Sequence, residues 1–292
     1  MKYQFILEHP EYPVTRWARQ LQIERTGYYV WRAEREERER KGEHIKATIK
    51  KIFQKSKNTY GPRRIARELK KAGIKIGHKR CAAYMEELGL SSIHNRNRSK
   101  SLTNSKKARG EGYPNLLKAE SPIAPRYALS SDITYIRTDD GFDYLCMVKD
   151  IVSGEILGSC QGERMTKDLV IQAFLSVQAR HQLADGCIFH SDRGSQYTSK
   201  AFMELLKKYG IRQSFSRVGT PGDNAWAESF FATMKKECIH WAHFHNREEA
   251  RVTVFEYIYS FYNGQRIQKR LGYLSPKEYY DSLQIGELLL AA

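Results

Sequence analysis

The spacing of apolar residues along this 292-residue chain changes character once, close to residue 126. Before that point apolar positions recur at helical intervals. After it, short runs rich in β-branched and aromatic residues are separated by turn dipeptides. Residues 14–32 predict two short helices around Leu21–Ile23, the second carrying Tyr28, Tyr29 and Trp31. Residues 33–58 predict a charged helix with few apolar positions, facing solvent or acting as a connector. Over 60–90, Pro62 suits a helix N-terminus, and Ile65, Ala66 and Leu69 make a helical apolar stripe. Gly73 and Gly77 break that stripe, and a second helix from about His78 presents Cys81, Tyr84, Met85 and Leu88 inward, completing a helix-turn-helix. Residues 91–125 are polar, basic and turn-rich, as expected of an interdomain linker.

From 126 onward the pattern predicts strands at 127–136, 143–152 and 155–162, joined by Asp139-Asp140-Gly141 and Ser153-Gly154 turns. A helix at about 167–182, a strand at 187–192, a helix at about 198–209 and a strand at 211–216 follow. Two further helices are expected at about 223–240 and 247–263. Three antiparallel strands and then alternating helices and strands predict an α/β domain with a mixed sheet. The chain therefore divides into an all-α N-terminal region (1–58), a helix-turn-helix (59–92), a basic linker (93–125) and an α/β core (126–285).

Composition narrows the function classes. A hydrophobic content of 41% with 12% aromatics excludes wholesale disorder. No apolar run approaches the roughly 18 residues of a membrane span and no signal peptide opens the chain. No membrane association is expected, and a cytoplasmic, nucleoid-associated location is. Five scattered cysteines without a C-x-x-C pair are expected to be reduced packing thiols. The net charge of +16 is unevenly placed: residues 1–118 hold 29 Lys and Arg against 12 Glu and no Asp, whereas 119–292 hold 20 against 21. One segment carries the whole excess, the footprint of a module that binds a polyanion. His78, Lys79 and Arg80 open the second helix of the helix-turn-helix, where recognition helices meet DNA. Arg63 and Arg64 in the first helix are further candidates for DNA contact.

The candidate chemistry lies in the α/β half. Asp132 is midway along the first strand, Asp192 ends the fourth, and Glu228 is in the first turns of a helix entered through a loop at 219–224. Two carboxylates on adjacent strands and one from an overlying helix can hold a pair of Mg²⁺ ions, which prefer oxygen ligands. Asn224, Glu228 and Lys235, four and seven residues apart, share one helix face. Lys235 would then reach DNA phosphates about 10 Å further along. His190 and Arg193 flank Asp192 as candidates for substrate-backbone contact, and Phe230 and Phe231 are expected in the core. His240, His243 and His245 match no common structural zinc spacing and have no cysteine nearby, so they are read as surface or packing residues. There is no P-loop, G-x-S-x-G or dinucleotide fingerprint.

D-I-T-Y at 132–135, H-S-D-R-G-S-Q-Y at 190–197 and T-P-G-D-N-A-W-A-E-S-F-F-A-T-M-K-K-E at 220–237 closely resemble the integrase-type domain of bacterial insertion-sequence transposases. Y-G-P-R-R-I-A-R-E-L at 60–69, T-G-Y-Y-x-W at 26–31, F-Y-N-G-Q-R at 261–266 and L-G-Y-L-S-P at 271–276 extend the likeness over nearly the whole chain. More narrowly, the chain resembles the second-reading-frame (OrfB) product of elements whose full transposase arises by frameshifting. The resemblance implies a ribonuclease H-like fold, a catalytic and metal-binding triad of Asp132, Asp192 and Glu228, and Mg²⁺ or Mn²⁺ as cofactor. It also implies double-stranded DNA partners (the element's terminal repeats and target DNA), a homo-oligomer, and an upstream-frame product as fusion or partner. Lys235 matches a Lys or Arg that the family carries seven residues after the Glu. Asn263 and Arg266 match a distal Y-N-x-x-R, with Arg266 a further candidate for DNA contact, whereas Gln268 stands where the family usually has His. The implied reaction is metal-dependent strand cleavage and strand transfer without a covalent protein intermediate. Two alternatives are a DNA-binding protein that kept the fold but not the reaction, and a ribonuclease H-type nuclease that does not join strands. The intact triad weighs against the first and the helix-turn-helix against the second.

Overall fold

The computed structural model describes residues 1–95, 114–120, 124–217 and 220–291, which divide into two units, Met1–Ser91 and Ser92–Ala292. The first unit is all helical: α1 (Lys2–Glu8), α2 (Val14–Gln20), α3 (Arg25–Lys55), α4 (Pro62–Lys71) and α5 (His78–Glu87). The expected break at Leu21–Ile23 is present. The expected boundary at residue 33 is not, because one 31-residue helix, α3, absorbs both predicted segments. Nothing at that point stops a helix, and the pairs Arg32–Glu36, Arg35–Glu39, Glu34–Arg38 and Glu37–Lys41 run along its surface at i,i+4 spacing. Such pairs at i,i+4 spacing favour the helical conformation over the whole exposed stretch. In α4, Ile65 and Leu69 are buried, and in α5 Cys81, Tyr84 and Met85 are. The turn between them passes through Gly73 at φ +82°, a conformation that costs side-chain-bearing residues energy.

The second unit contains α6 (Leu116–Ala119), β1 (Ala128–Thr138), β2 (Gly141–Asp150), β3 (Ile156–Gly162), α7 (Lys167–Gln178), β4 (Ile188–Ser191), α8 (Lys200–Lys208), β5 (Arg212–Phe215), α9 (Ala225–Glu237), α10 (Arg247–Phe255) and α11 (Pro276–Ala291). The sheet runs β3-β2-β1-β4-β5. Its first three strands are antiparallel, and β1, β4 and β5 are parallel. This is the mixed α/β sheet read from the pattern and the ribonuclease H-like arrangement that the resemblance implies. The helix expected over 247–263 is α-helical only to Phe255 and then widens into a π-helical turn, Glu256–Tyr262. Most of the linker expected at 93–125 lies outside the described residues. Its described end runs beside β5, where Phe215 N donates to Pro114 O (3.0 Å) and Leu116 N to Ser214 Oγ (2.9 Å). The five cysteines are free thiols, and among the described residues no helix is long and apolar enough to cross a membrane.

Side chains alternate across a strand, and β1 uses that alternation to separate core from site. Leu129 and Ile133 join Val148, Leu157, Phe174, Phe189 and Phe202 in the core beneath α7 and α8. Ala128, on the other face, packs with Ile188 and Trp226. Helix α7 lies close on β3 because residue 158 is glycine. A Cβ there would stand 2.7 Å from Ala173 O and 2.6 Å from Val177 Cγ2, and would also collide with Ser176.

Helix α9 is anchored at its far end by Glu237. Its Oε2 accepts from Tyr257 Oη (2.8 Å) and Arg266 Nε (2.7 Å), while Oε1 accepts from Arg266 Nη2 and lies beside His94 Nε2, both at 2.6 Å. Burial alone would raise this carboxyl, but the bonds to His94, Arg266 and Tyr257 prevail and hold it down at about 2. Arg266 is itself buried, with its guanidinium paired to Glu237. Asn263 pairs both ways with the Ile156 backbone, its Nδ2 donating to Ile156 O and its Oδ1 accepting from Ile156 N, at 2.9 Å each. The Y-N-x-x-R stretch thus serves the fold.

Gly158→Ala is expected to push α7 off the sheet and cost about 1–3 kcal/mol, read as a lower denaturant midpoint. Because the Glu237 carboxyl is depressed when folded, its contribution is full above about pH 4.5 and is lost as pH falls toward 2. Glu237→Gln should flatten that acid limb and also destabilise the protein at neutral pH by about 3–5 kcal/mol, since Arg266 is left buried without its partner. An unchanged acid-unfolding profile would contradict this account.

Candidate active site

Three structural relations bring the candidate acids together. First, Ala128 and Ser130 lie on the face of β1 opposite the α7 core, and Asp132 continues that face. Second, β1 and β4 are parallel with Ser130 opposite His190, so Asp132 and Asp192, each two residues further on, come at matching positions, Asp132 still within β1 and Asp192 just past the end of β4. Third, Asn224, immediately before α9, is buried against β1: its Oδ1 accepts from Ser130 Oγ (2.8 Å) and its Nδ2 donates to Ser131 O (3.1 Å). Glu228 follows Asn224 by four residues, one helical turn, and so stands above the same part of the sheet. Parallel strands of an α/β sheet place ligands at these carboxyl ends. A cavity of about 560 Å³, lined among others by Arg180, His181 and Asp185, lies instead beside the start of β4 and β5 and away from the three acids.

Each aspartate is oriented by one backbone N–H. Asp132 Oδ1 accepts from Ile133 N (2.8 Å), and Asp192 Oδ1 from Gly194 N (3.0 Å). Asp132 is half-buried, while Asp192 and Glu228 remain accessible to solvent in the cleft. Desolvation and the charge of Asp192 push the Asp132 carboxyl up to about 7; Glu228 adds to this, while the Ile133 N–H and Lys235 oppose it. Desolvation also raises Asp192 and Glu228, the latter further through the charge of Asp192. These groups repel one another and are short of positive charge. The three carboxylates do not close on a single point, since among the described residues the one trio of potential ligands mutually within 4.8 Å lies elsewhere. An open set of hard oxygen donors, without thiol or free imidazole, suits divalent cations of the Mg²⁺ kind.

The other candidates are sorted by burial. His190 is fully buried, with Nδ1 2.8 Å from Ser214 Oγ and Nε2 3.2 Å from Ser216 Oγ. Burial pushes its imidazole down to about 4. The ring spans from β4 to β5 and to Ser216 just beyond it. The Asn224 amide is likewise engaged within the fold, docking the start of α9 on β1. Arg193 is half-buried, with Nε donating to Ser216 O (2.9 Å). Lys235 is half-buried and its ammonium lies 5.2 Å from the Tyr135 ring centroid. Burial lowers its pKa while the charge of Asp132 raises it. The approach loop at 219–224 is described only from Thr220, and Arg217 closes on Asp223 through Nε–Oδ2 at 3.0 Å. In the first unit His78, Lys79 and Arg80 are exposed on the opening turn of α5, and Arg63 is exposed on α4. Arg80 Nη2 donates to Tyr84 Oη (2.9 Å), and Arg64 stacks over Tyr60 at 5.6 Å.

Sequence reasoning missed Lys149 and Ser130. Lys149 is buried in β2 and donates from Nζ to Trp226 O (2.8 Å), gripping the first turn of α9. Burial brings its ammonium down to about 7, helped by the charges of Arg270 and Arg266. A lysine within an apolar strand was the only available signal. Glu237, likewise unremarked, looked like one more charge at a helix end.

Comparison with known proteins agrees with this architecture. Residues 123–221 and 228–282 match two family models, each described as an integrase core domain, and residues 39–98 match an HTH-like domain. A 31 kDa protein of insertion element IS600 from Shigella sonnei is 38% identical over 87% of this chain and 93% of its own length. Transposase InsF of insertion sequence IS3A from Escherichia coli K12 is 36% identical over 96% of this chain and 98% of its own. The transposase of insertion sequence element IS904 from Lactococcus lactis is 37% identical over 81% and 93%, respectively. With an HTH-like domain ahead of an integrase core and identity of this extent over almost its full length, the chain belongs to the DDE transposases of bacterial insertion sequences.

Proposed function

We propose that the protein cuts and rejoins DNA strands at the ends of its insertion sequence with Asp132, Asp192 and Glu228 as the catalytic carboxylates. The observation that supports this reading is electrostatic proximity: the acids come from a strand, a strand end and an overlying helix, Asp192 raises the carboxyls of both Asp132 and Glu228, and Glu228 raises that of Asp132. The same residues would hold the divalent cations, Mg²⁺ or Mn²⁺ by the chemistry of the oxygen donors. Such ions, when bound, supply the positive charge that activates an attacking oxygen and stabilises a leaving one. The protein's own contribution is placement. Ile133 N–H and Gly194 N–H aim the two aspartates, Asn224 fixes the height of Glu228 over the sheet, and Lys149 holds the first turn of its helix. Lys235, beside Asp132 and over Tyr135, would meet a backbone phosphate entering the cleft.

Double-stranded DNA of the element's terminal repeats is the proposed ligand of the first unit, through Lys79, His78 and Arg63, with target DNA engaging the core. Arg80 and Arg64 would contribute less, since Tyr84 and Tyr60 already engage them. Bringing two ends together needs at least two copies, and an upstream-frame product as fusion or partner fits the second-reading-frame likeness.

Asp132→Asn or Asp192→Asn should lower metal-dependent cleavage of terminal-repeat DNA by on the order of 10³-fold or more while leaving DNA retention intact. Wild-type rates in either variant would overturn the assignment. Lys79→Ala should weaken binding across sequences and reduce the slope of log affinity against log salt by about 0.9, the loss of one phosphate contact. A slope equal to the wild type's would remove Lys79 from the interface.

A further inference from the structure

Asp139, His243 and His245 form a second constellation, separate from the three acids of the cleft. Asp139 lies in the tight turn between β1 and β2, and the two histidines lie in the extended stretch between α9 and α10. Phe244, between them, is buried at 3% exposure, so strand-like alternation turns both imidazoles outward on the opposite side. The two segments are fastened by their backbones. Asp139 N donates to Phe244 O (3.0 Å), and Arg247 Nη2 donates to Asp140 O (2.8 Å). Asn246 caps α10, its side chain accepting from Glu249 N (2.8 Å). Both histidines are therefore presented from a fixed main chain.

His243 Nε2 lies 3.2 Å and His245 Nδ1 3.4 Å from the same atom, Asp139 Oδ2. All three ligand atoms are mutually within 4.8 Å. Around a tetrahedral zinc ion with bonds of about 2.0–2.1 Å, neighbouring donors stand about 3.3 Å apart. Asp139 Oδ2 already stands at nearly that spacing from a nitrogen of each imidazole, the histidine ligand atoms lie within 4.8 Å of one another, and the shared exposure of the three leaves room for a solvent ligand. The donor set differs in kind from the cleft's: two imidazoles and one carboxylate suit zinc-like ions, whereas Mg²⁺ takes oxygen. The spacing of the histidines alone resembles no structural zinc motif, because the third ligand comes from a strand turn about a hundred residues earlier.

We propose that Asp139, His243 and His245 bind a divalent transition cation of the zinc type, with water completing its shell. The bound ion would cross-link the β1–β2 turn to the segment leaving α9. It would thus staple the far end of the strand bearing Asp132 to the chain that follows the helix bearing Glu228 and Lys235.

The test is calorimetric titration of metal-stripped full-length protein with Zn²⁺ in excess Mg²⁺, with Co²⁺ absorption as a second readout. Wild type and the Asp132→Asn/Asp192→Asn variant should each take up one tight equivalent and show the Co²⁺ visible band. His243→Ala/His245→Ala should lose both. Asp139→Asn, close to isosteric, should weaken affinity at least about tenfold. Undiminished Zn²⁺ uptake by His243→Ala/His245→Ala, or loss confined to the Asp132→Asn/Asp192→Asn variant, would overturn the proposal.

Discussion

Asn224 spans the gap between β1 and the start of α9, giving its amide nitrogen to Ser131 O and taking a hydrogen bond from Ser130 Oγ. Both contacts are buried, so neither competes with water, and a buried amide without these partners would cost about 1–3 kcal/mol. The bridge fixes the helix in height and rotation at its first residue. Glu228 is one turn further on, too near to drift independently. The aspartates need no such device because their strands are hydrogen-bonded neighbours. The acidic cleft is therefore a consequence of one parallel strand pair and one side-chain amide.

Elsewhere the second unit fastens distant segments with buried ion pairs. Glu237 gathers His94, Tyr257 and Arg266 at the far end of α9. Asp143 on β2 pairs with Arg251 of α10 (2.7 Å), and Arg126 pairs with Glu155 (2.7 Å). Such pairs add little net stability compared with well-packed apolar residues, but breaking one leaves a charge stranded in the interior. Their effect is to forbid misplacement. That property serves a cleft in which three like charges must be held near one another against their repulsion.

Charge is divided along the chain according to task. The N-terminal segment carries the cations on exposed helix faces, where they attract a phosphate backbone at long range. The core is close to neutral overall yet concentrates negative charge in one cleft. Many of its arginines and lysines are spent internally, on Glu237, Asp143, Glu120, Asp223 and the Trp226 carbonyl. That is why several basic and polar residues near the acids serve the fold, while Lys79 of α5 is exposed to solvent.

The alternating and helical periods in the sequence were enough to read the helix pair at 60–90, the five strands and the mixed sheet, since burial of one face imposes those periods directly. Motif likeness picked out Asp132, Asp192 and Glu228 before any coordinates. Charge composition did not reveal that residues 25–55 form one helix, because surface ion pairs leave no apolar trace of where a helix ends. His190, Asn224 and Arg266 read as ligand contacts since polar residues beside an acid look alike whether they face solvent or the interior. The roles of Lys149 and Glu237, and the meeting of Asp139 with His243 and His245, were illegible for a related reason: each depends on partners many residues away. Element types and the stock of available acids can be read along the chain, because they follow from local periodicity and residue chemistry. Which polar groups meet is settled in three dimensions, because hydrogen bonds and ion pairs act over about 3 Å in space and are blind to distance along the chain.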